Sequence, residues 1–270
     1  MLDTSHISSF QRSHGQARIV LGPRGIVDLA QSGSAKAMLP RATAGLPEIV
    51  FLNTSGGLTA DDQLEYGVEL RSGTRALATT QTAERAYRAE GNAASSHVRL
   101  SIGKNGWLDW LPQETILFDG AALDRVTEVD LAAGAGCLLL EIIVLGRLAM
   151  GETVSHLHLR DRRVVRREGH ILHHDALALN DAGLRRLDGA AMLNGARAMA
   201  TLTMIAPHAP DFLGCVRDVL NEPGVTSAAS APPGRLVLRF LARDDWPLRR
   251  QINRLLAALR PNSLPRIWQV

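Results

Sequence analysis

The feature that most constrains the fold is a series of short segments in which apolar and polar residues alternate, separated by glycine-centred turns. In residues 64–70, Leu64, Tyr66, Val68 and Leu70 alternate with more polar positions, the period-2 pattern of a half-buried strand. Residues 96–102 and 125–131 follow similar patterns, and 138–144 form an apolar run. No convincing long helical pattern occurs before about residue 185. The first two thirds of the chain is therefore predicted to be β-structure.

Turns between these segments predict how the strands connect. The glycine turn at 71–73 predicts that strand 64–70 continues into a second hairpin arm at 76–80, and Glu168-Gly169 predicts a hairpin of 154–166 with 170–178. A strand–turn–strand unit also recurs at an offset of 61 residues, from Val68-Glu69-Leu70 with Gly73 to Val129-Asp130-Leu131 with Gly134. This repetition favours stacked hairpins or layered sheets over a βαβ fold.

The last 75 residues change character. Residues 198–206 and 235–241 read as strands, residues 210–220 as a short helix, and Asp244-Asp245 as the start of a second helix with an apolar stripe. The predicted fold class is mostly β (α+β): layered or stacked β-hairpins with two short helices in a C-terminal strand–helix–strand–helix region. We expect one domain over 1–270, with 198–262 forming an α+β subregion packed on the β body.

Composition narrows the function classes. The formal net charge of +3 is too small to indicate nucleic-acid binding by itself, and the two cysteines form no CxxC pattern. The most apolar stretch, 137–150, is interrupted by Glu141 and Arg147, which argues against a membrane span. Glu141 needs a partner if it is buried, and Arg147 is a plausible one. A cytoplasmic protein with no membrane association is expected.

Signatures of common enzymes are missing from the sequence. It contains no GxxxxGK[ST] phosphate loop, no GxGxxG after a strand, no GxSxG elbow and no HExxH. These absences favour a protein that is not an enzyme and that holds no stable cofactor.

Four histidines support an alternative interpretation. His156 and His158 lie two apart on one predicted strand, while His173 and His174 lie on its predicted hairpin partner. Facing strands could bring two or three imidazoles around Zn²⁺ or Ni²⁺, as in a β-rich metal-dependent hydrolase. The simpler interpretation places His156 and His158 on the solvent side of a basic strand. Nucleic-acid binding through Arg160–Arg167 is a third and weaker possibility.

Acidic residues form a second set of candidates. Asp61, Asp62, Glu84 and Glu114 all lie in loops or at predicted strand ends, where functional residues are common. Surface charge with local ion pairing is the ordinary alternative for each of them.

Several ordered motifs resemble the UreD (UreH) family, and the resemblance spans roughly residues 15–270. The carrying segments are 52–58 (LNTSGGL), 80–88 (TQTAERAYR), 110–116 (WLPQETI), 118–120 (FDG), 146–152 (GRLAMGE) and 265–268 (PRIW). The family-motif residues are Gly56, Gly57, Gln81, Arg85, Tyr87, Arg88, Pro112, Gln113, Arg147, Gly151 and Glu152. One departure is that the family usually has Gly-Gly-Asp where this chain has Ala60-Asp61-Asp62, which puts the backbone path of that loop in question.

The resemblance implies a scaffold rather than a catalyst. UreD-like proteins are mostly β with two helices, bind UreF, which recruits the GTPase UreG, and dock on apo-urease so that nickel is inserted. For this chain it implies nickel as a transferred metal, with an exposed apolar surface for UreF at Trp107–Trp110 or Ile267-Trp268. Such a surface also predicts poor solubility of the isolated chain.

A protein that passes nickel onward should not trap it in a closed or cysteine-rich site. Scattered carboxylates along a wet interior path suit weak, exchangeable contacts. We therefore expect Asp61, Asp62, Glu84 and Glu114 to line such a path or its mouth.

Overall fold

Two stacked β-sheets form most of the fold. The computed structural model describes residues 12–40, 46–260 and 264–268. The strands are β1 His14–Gly22, β2 Gly25–Gly33, β3 Ala35–Met38, β4 Glu48–Asn53, β5 Gln63–Leu70, β6 Arg75–Thr80, β7 Glu84–Ala86, β8 Ala94–Ile102, β9 Trp107–Trp110, β10 Thr115–Leu117, β11 Ala121–Leu131, β12 Gly136–Leu145, β13 Leu157–Arg167, β14 His170–Asn180, β15 Ala198–Ile205, β16 Val225–Ser230 and β17 Arg235–Ala242. The helices are α1 Asp181–Leu184, α2 Leu213–Val219 and α3 Asp245–Leu259, with short 3₁₀ turns at Leu148–Met150, Ala209–Phe212 and Arg266–Trp268.

The central part of the chain passes back and forth between the sheets. Sheet A has the order β14-β13-β11-β8-β5-β1-β2, and sheet B has β16-β17-β15-β12-β9-β6-β4-β3, with β7 and β10 attached beside β12. In sheet A, β5, β8, β11 and β13 run parallel, and in sheet B so do β4, β6, β9 and β12. Each coil of chain therefore adds one parallel strand to each sheet.

This coiling explains the sequence repeat and corrects one predicted hairpin. Val68 pairs with Leu100, and Leu100 pairs with Val129, so the 61-residue offset spans two coils. The predicted hairpin of 64–70 with 76–80 is wrong, because β5 lies in sheet A and β6 in sheet B. A tight glycine turn looks the same in sequence whether the chain folds back within a sheet or crosses to another one.

Other sequence predictions are confirmed. β13 and β14 form the predicted antiparallel hairpin around Glu168-Gly169, and the chain is mostly β with stacked sheets. Strands occur at 198–205 and 235–242, and α2 and α3 lie where helices were predicted. Asp244 caps α3 by accepting a hydrogen bond from the Trp246 backbone N–H (2.8 Å).

The C-terminal strands extend sheet B rather than forming a separate sheet. β15 pairs antiparallel with β12, and β17 and β16 follow outward. Residues 225–230 read VTSAAS, whose small polar side chains gave no strand signal. A one-turn helix, α1, was not predicted either.

Two apolar cores result from this arrangement. One fills the space between sheets A and B, and the other lies between sheet B and helices α2 and α3. Trp110 belongs to the first core and Trp268 to the second, both almost fully buried. The expectation that these tryptophans form an exposed surface is therefore wrong, since Trp110 and Trp268 serve as core residues, while Trp107 and Ile267 are half-buried.

No helix in the described part of the chain has the length and apolar content required to cross a membrane.

Candidate functional site

Three parallel strands end side by side at one edge of the molecule. β10 pairs with β7 and with β12, so Leu117 lies beside both Ala86 and Leu145. The residues that follow these strands meet, and we call them the strand-end cluster: Tyr87, Arg88, Phe118, Asp119, Arg147, Leu148, Met150 and Glu152.

An aromatic pair forms the centre of the strand-end cluster. The Tyr87 and Phe118 rings meet edge to face with centroids 4.9 Å apart, and the Arg147 guanidinium carbon lies 4.3 Å from the Phe118 ring centroid. Gly57 has a φ of +155°, and a Cβ there would lie 2.4 Å from a Tyr87 ring atom. Glycine is therefore required for the loop to pass the tyrosine.

Backbone hydrogen bonds bring the sequence motifs together. The Leu58 N–H donates to the Arg85 carbonyl (2.7 Å), and the Tyr87 N–H donates to the Leu58 carbonyl (2.8 Å). The Tyr87 hydroxyl also donates to the Gly56 carbonyl (3.3 Å). Motif 52–58 thus packs directly on motif 80–88.

Two carboxylates hold the loops of the strand-end cluster in place. Asp119 accepts hydrogen bonds from the backbone N–H groups of Ser155 (2.8 Å) and His156 (3.0 Å) and pairs with Arg88 (2.6 Å). The bond from Ser155 is the main reason that the pKa of Asp119 is lowered.

Glu152 plays the matching role on the neighbouring loop. It accepts hydrogen bonds from the Arg147 side chain and backbone, each 2.9 Å, and from the Asp119 N–H (3.1 Å). The Arg147 side-chain bond is the largest factor lowering the pKa of Glu152. Arg147 therefore pairs with Glu152, and the expected Arg147–Glu141 pair is wrong.

A small cavity of about 40 Å³ lies between the sheets near this edge, room for about three waters. Its apolar walls include Leu58, Leu64 and Trp110. The polar residues that line it are Tyr66, Thr80, Glu84, Ser96, Gln113, Thr115, Arg125 and Glu141. We call it the first cavity.

Glu84 is the acidic candidate that lines the first cavity. Its carboxylate accepts a hydrogen bond from the Asn53 amide (3.2 Å). Burial is the main cause that raises the pKa of Glu84 to about 7, and the nearby Asp62 charge adds to the increase. Glu84 therefore exchanges its proton near neutral pH.

We expect Glu84 to make the protein less stable as pH rises. The pKa of Glu84 in the folded protein, about 7, lies above the ordinary 4.5. Its contribution to the free energy of unfolding is therefore fully present below pH 4.5 and is lost as pH rises through 7. Glu84→Gln should raise the free energy of unfolding by about 1–3 kcal/mol at pH 8 and by less than about 1 kcal/mol at pH 5. Chemical denaturation at both pH values checks this.

Glu65→Gln is the matched control, since Glu65 forms an exposed pair with Arg99 (2.8 Å). It should change the free energy of unfolding by less than about 1 kcal/mol, because exposed ion pairs contribute little. An equal gain from Glu84→Gln at pH 5 and pH 8 would contradict the assigned titration.

Glu141 and its partners form a buried ionic network. Arg125 contacts Glu141 (2.9 Å) and makes a bidentate pair with Asp161 (3.1 and 2.9 Å). Arg163 lies 3.5 Å from Asp161. Burial raises the pKa of Glu141, whereas the arginines keep the pKa of Asp161 low despite its burial.

This network leads to a second cavity of about 270 Å³ between the sheets. Glu141 lines both cavities, and Arg163 and Arg239 line the second. Both arginines contact Asp175, at 3.3 and 2.8 Å. A series of charged side chains therefore connects the two spaces through the apolar core.

Of the other predicted acidic residues, Asp61 and Asp62 hold a loop. Asp62 is buried and accepts hydrogen bonds from the backbone N–H groups of Ser13 (2.7 Å) and Thr59 (2.8 Å). Asp61 has a φ of +64° and accepts a hydrogen bond from the Asn92 amide (2.8 Å). Aspartate tolerates this left-handed conformation, so the loop adopts a glycine-like backbone at Asp61, the position where the resemblance implies glycine.

Glu114 lies near α3. It contacts Arg249 (3.2 Å), which also donates to the Gln113 side chain (2.9 Å). Gln113 and Pro112 line the first cavity, whereas Gln81 is exposed.

Gly151 has a φ of +69° and closes the 3₁₀ turn of the strand-end cluster. The structure thus unites most motif residues but does not gather the four acidic candidates.

The four histidines do not converge. His158 pairs with Asn180 in the hairpin register, while His173 pairs with Val165, seven residues along the strand, or roughly 20 Å away. His156 and His158 instead bind Asp181 (3.0 Å) and Asp124 (2.9 Å). The prediction that facing strands bring these imidazoles together is therefore wrong. In the described ranges, no group of three or more His, Cys, Asp or Glu side chains is placed to hold a metal ion.

Comparison with known proteins identifies the family. The sequence model of the UreD urease accessory proteins matches residues 13–269. A urease accessory protein UreD from Paracoccus denitrificans is 67% identical over 270 residues, covering all of this chain and 97% of the relative. A UreD from Jannaschia sp. is 46% identical over the full length of both chains. A UreD from Cereibacter sphaeroides is 56% identical, covering 96% of each chain. This chain belongs to the UreD family of urease accessory proteins.

Proposed function

We propose that this protein is a non-catalytic, cytoplasmic scaffold for urease maturation, which bridges apo-urease to UreF and the GTPase UreG so that nickel can be inserted. The observation that carries the proposal is the family match over nearly the whole chain. The placement of His156 and His158 is consistent with it, since each forms a hydrogen bond with a different aspartate. No resident cofactor, nucleic acid or membrane is part of the proposed role.

We propose further that nickel crosses the protein along the two cavities. Glu84 lies at the first cavity, and Glu141 lines both. A single carboxylate beside water binds Ni²⁺ weakly, so the ion can leave again, unlike an ion held by several ligands in a closed site. Glu84 is well suited to this because it changes between charged and neutral near pH 7.

The other acidic candidates fit the ends of this path rather than its interior. Asp61 and Glu114 are partly exposed, in pairs with Arg12 (3.7 Å) and Arg249 (3.2 Å). Asp62 contributes its charge near Glu84, although both of its oxygens accept backbone hydrogen bonds. Within this proposal, Glu84 is the residue whose loss matters most.

The experiment co-expresses urease with UreF, UreG and variants of this chain, and measures nickel per purified urease. Glu84→Gln removes the charge and keeps the shape, so we expect a several-fold loss of nickel, while Glu65→Gln leaves it unchanged. The denaturation curves of Glu84→Gln show whether a loss of nickel comes from unfolding. Normal nickel content with Glu84→Gln would refute the path, and normal nickel content without this chain would refute the scaffold role.

A further inference from the structure

The outer face of the strand-end cluster is unusually apolar. Met150 is 73% exposed, Leu148 45% and Tyr87 38%. Leu148 and Met150 share one 3₁₀ turn directly after Arg147, and Arg147 packs on Phe118, which contacts Tyr87. Exposed apolar residues scattered singly are ordinary, but a contiguous group of them marks an interaction site.

The more exposed member of each ion pair on this face is an arginine. The Arg88 and Arg147 side chains are exposed, whereas their partners Asp119 and Glu152 are largely covered. Both carboxylates turn inward to accept backbone hydrogen bonds. A partner would therefore meet the guanidinium groups of Arg88 and Arg147 beside an apolar centre.

We propose that the strand-end cluster docks an acidic protein surface with an apolar patch, with Met150 and Leu148 at the centre of the contact. This inference rests on the proposed scaffold function and assigns it a surface. Arginine, tyrosine and methionine are enriched at protein interfaces, and a cationic rim favours association with an acidic partner. The loops are held rigid by Asp119 and Glu152, so docking requires little ordering.

Two substitutions at one position test both halves of the proposal. Met150→Glu and Met150→Lys remove the same apolar contact but add opposite charges. Tagged chain is co-expressed with UreF and apo-urease, and the amount of each protein retained is measured. We expect Met150→Glu to weaken retention of one of them by about tenfold or more and Met150→Lys to weaken it clearly less. Ile171→Glu is the control, because Ile171 is 62% exposed on β14, away from this face.

Each outcome decides the inference. Unchanged retention with both Met150 variants would overturn the docking surface. Equal losses from Met150→Glu and Met150→Lys would overturn the acidic nature of the partner. A loss with Ile171→Glu as large as that with Met150→Glu would overturn the docking surface. If the wild-type chain retained neither UreF nor apo-urease, the scaffold function itself would fail, which separates the two proposals.

Discussion

Arg125→Met should lower the free energy of unfolding by about 3–5 kcal/mol, one of the largest effects of any single substitution in this chain. Arg125 is buried and contacts Glu141 and Asp161. Methionine fills similar space but leaves two carboxylates in the apolar core without their main counter-charge. Chemical denaturation at pH 7 measures the loss.

Two further variants separate charge from packing. Arg99→Met removes an arginine that forms an exposed pair with Glu65 and should cost less than about 1 kcal/mol. Adding Glu141→Gln to Arg125→Met should recover part of the loss, because it removes one of the stranded charges. The loss should also shrink at lower pH, where carboxylates take up protons. A double variant no more stable than Arg125→Met would contradict the role assigned to Glu141.

Trp268→Ala should lower the free energy of unfolding by about 3–5 kcal/mol as well. The Trp268 side chain is fully buried against sheet B, and its indole N–H donates to the Leu111 carbonyl (3.2 Å) and the Thr79 hydroxyl (3.3 Å). The Arg249 guanidinium carbon lies 5.0 Å from its ring centroid. Removing the indole therefore opens a cavity and removes both of these hydrogen bonds.

Trp246→Ala is the matched control. Trp246 is 56% exposed at the start of α3, so the same change of side chain should cost less than about 1 kcal/mol. Thermal or chemical unfolding of both variants gives the comparison. Similar losses for Trp246→Ala and Trp268→Ala would show that the C-terminal tryptophan does not close the second core.

The candidate site was only partly predictable. Glu141 stands out in sequence because it interrupts an apolar run, but the sequence suggests Arg147, six residues away, as its partner. The true partner, Arg125, lies on a strand of the other sheet. The alternation of the two strands contains a signal for this pair. Arg125 takes an inward position between Leu123 and Val129 on β11, and Asp161 takes an inward position two residues after Leu159 on β13.

The sequence alone determined the strand positions, one helix and the family. Period-2 alternation specified the strands, an aspartate cap and apolar stripe specified α3, and ordered motifs specified the UreD family. These signals depend on neighbours in the chain, so a single sequence contains them in full.

Only the tertiary structure decided which strands pair. A glycine turn is compatible with a hairpin or with a crossing between sheets, and the parallel coiling that resulted is set by contacts between residues about 30 positions apart. That coiling buries Trp110 and brings the ends of β7, β10 and β12 together. Pairing depends on burying apolar faces from distant segments at once, a collective property that no local pattern contains.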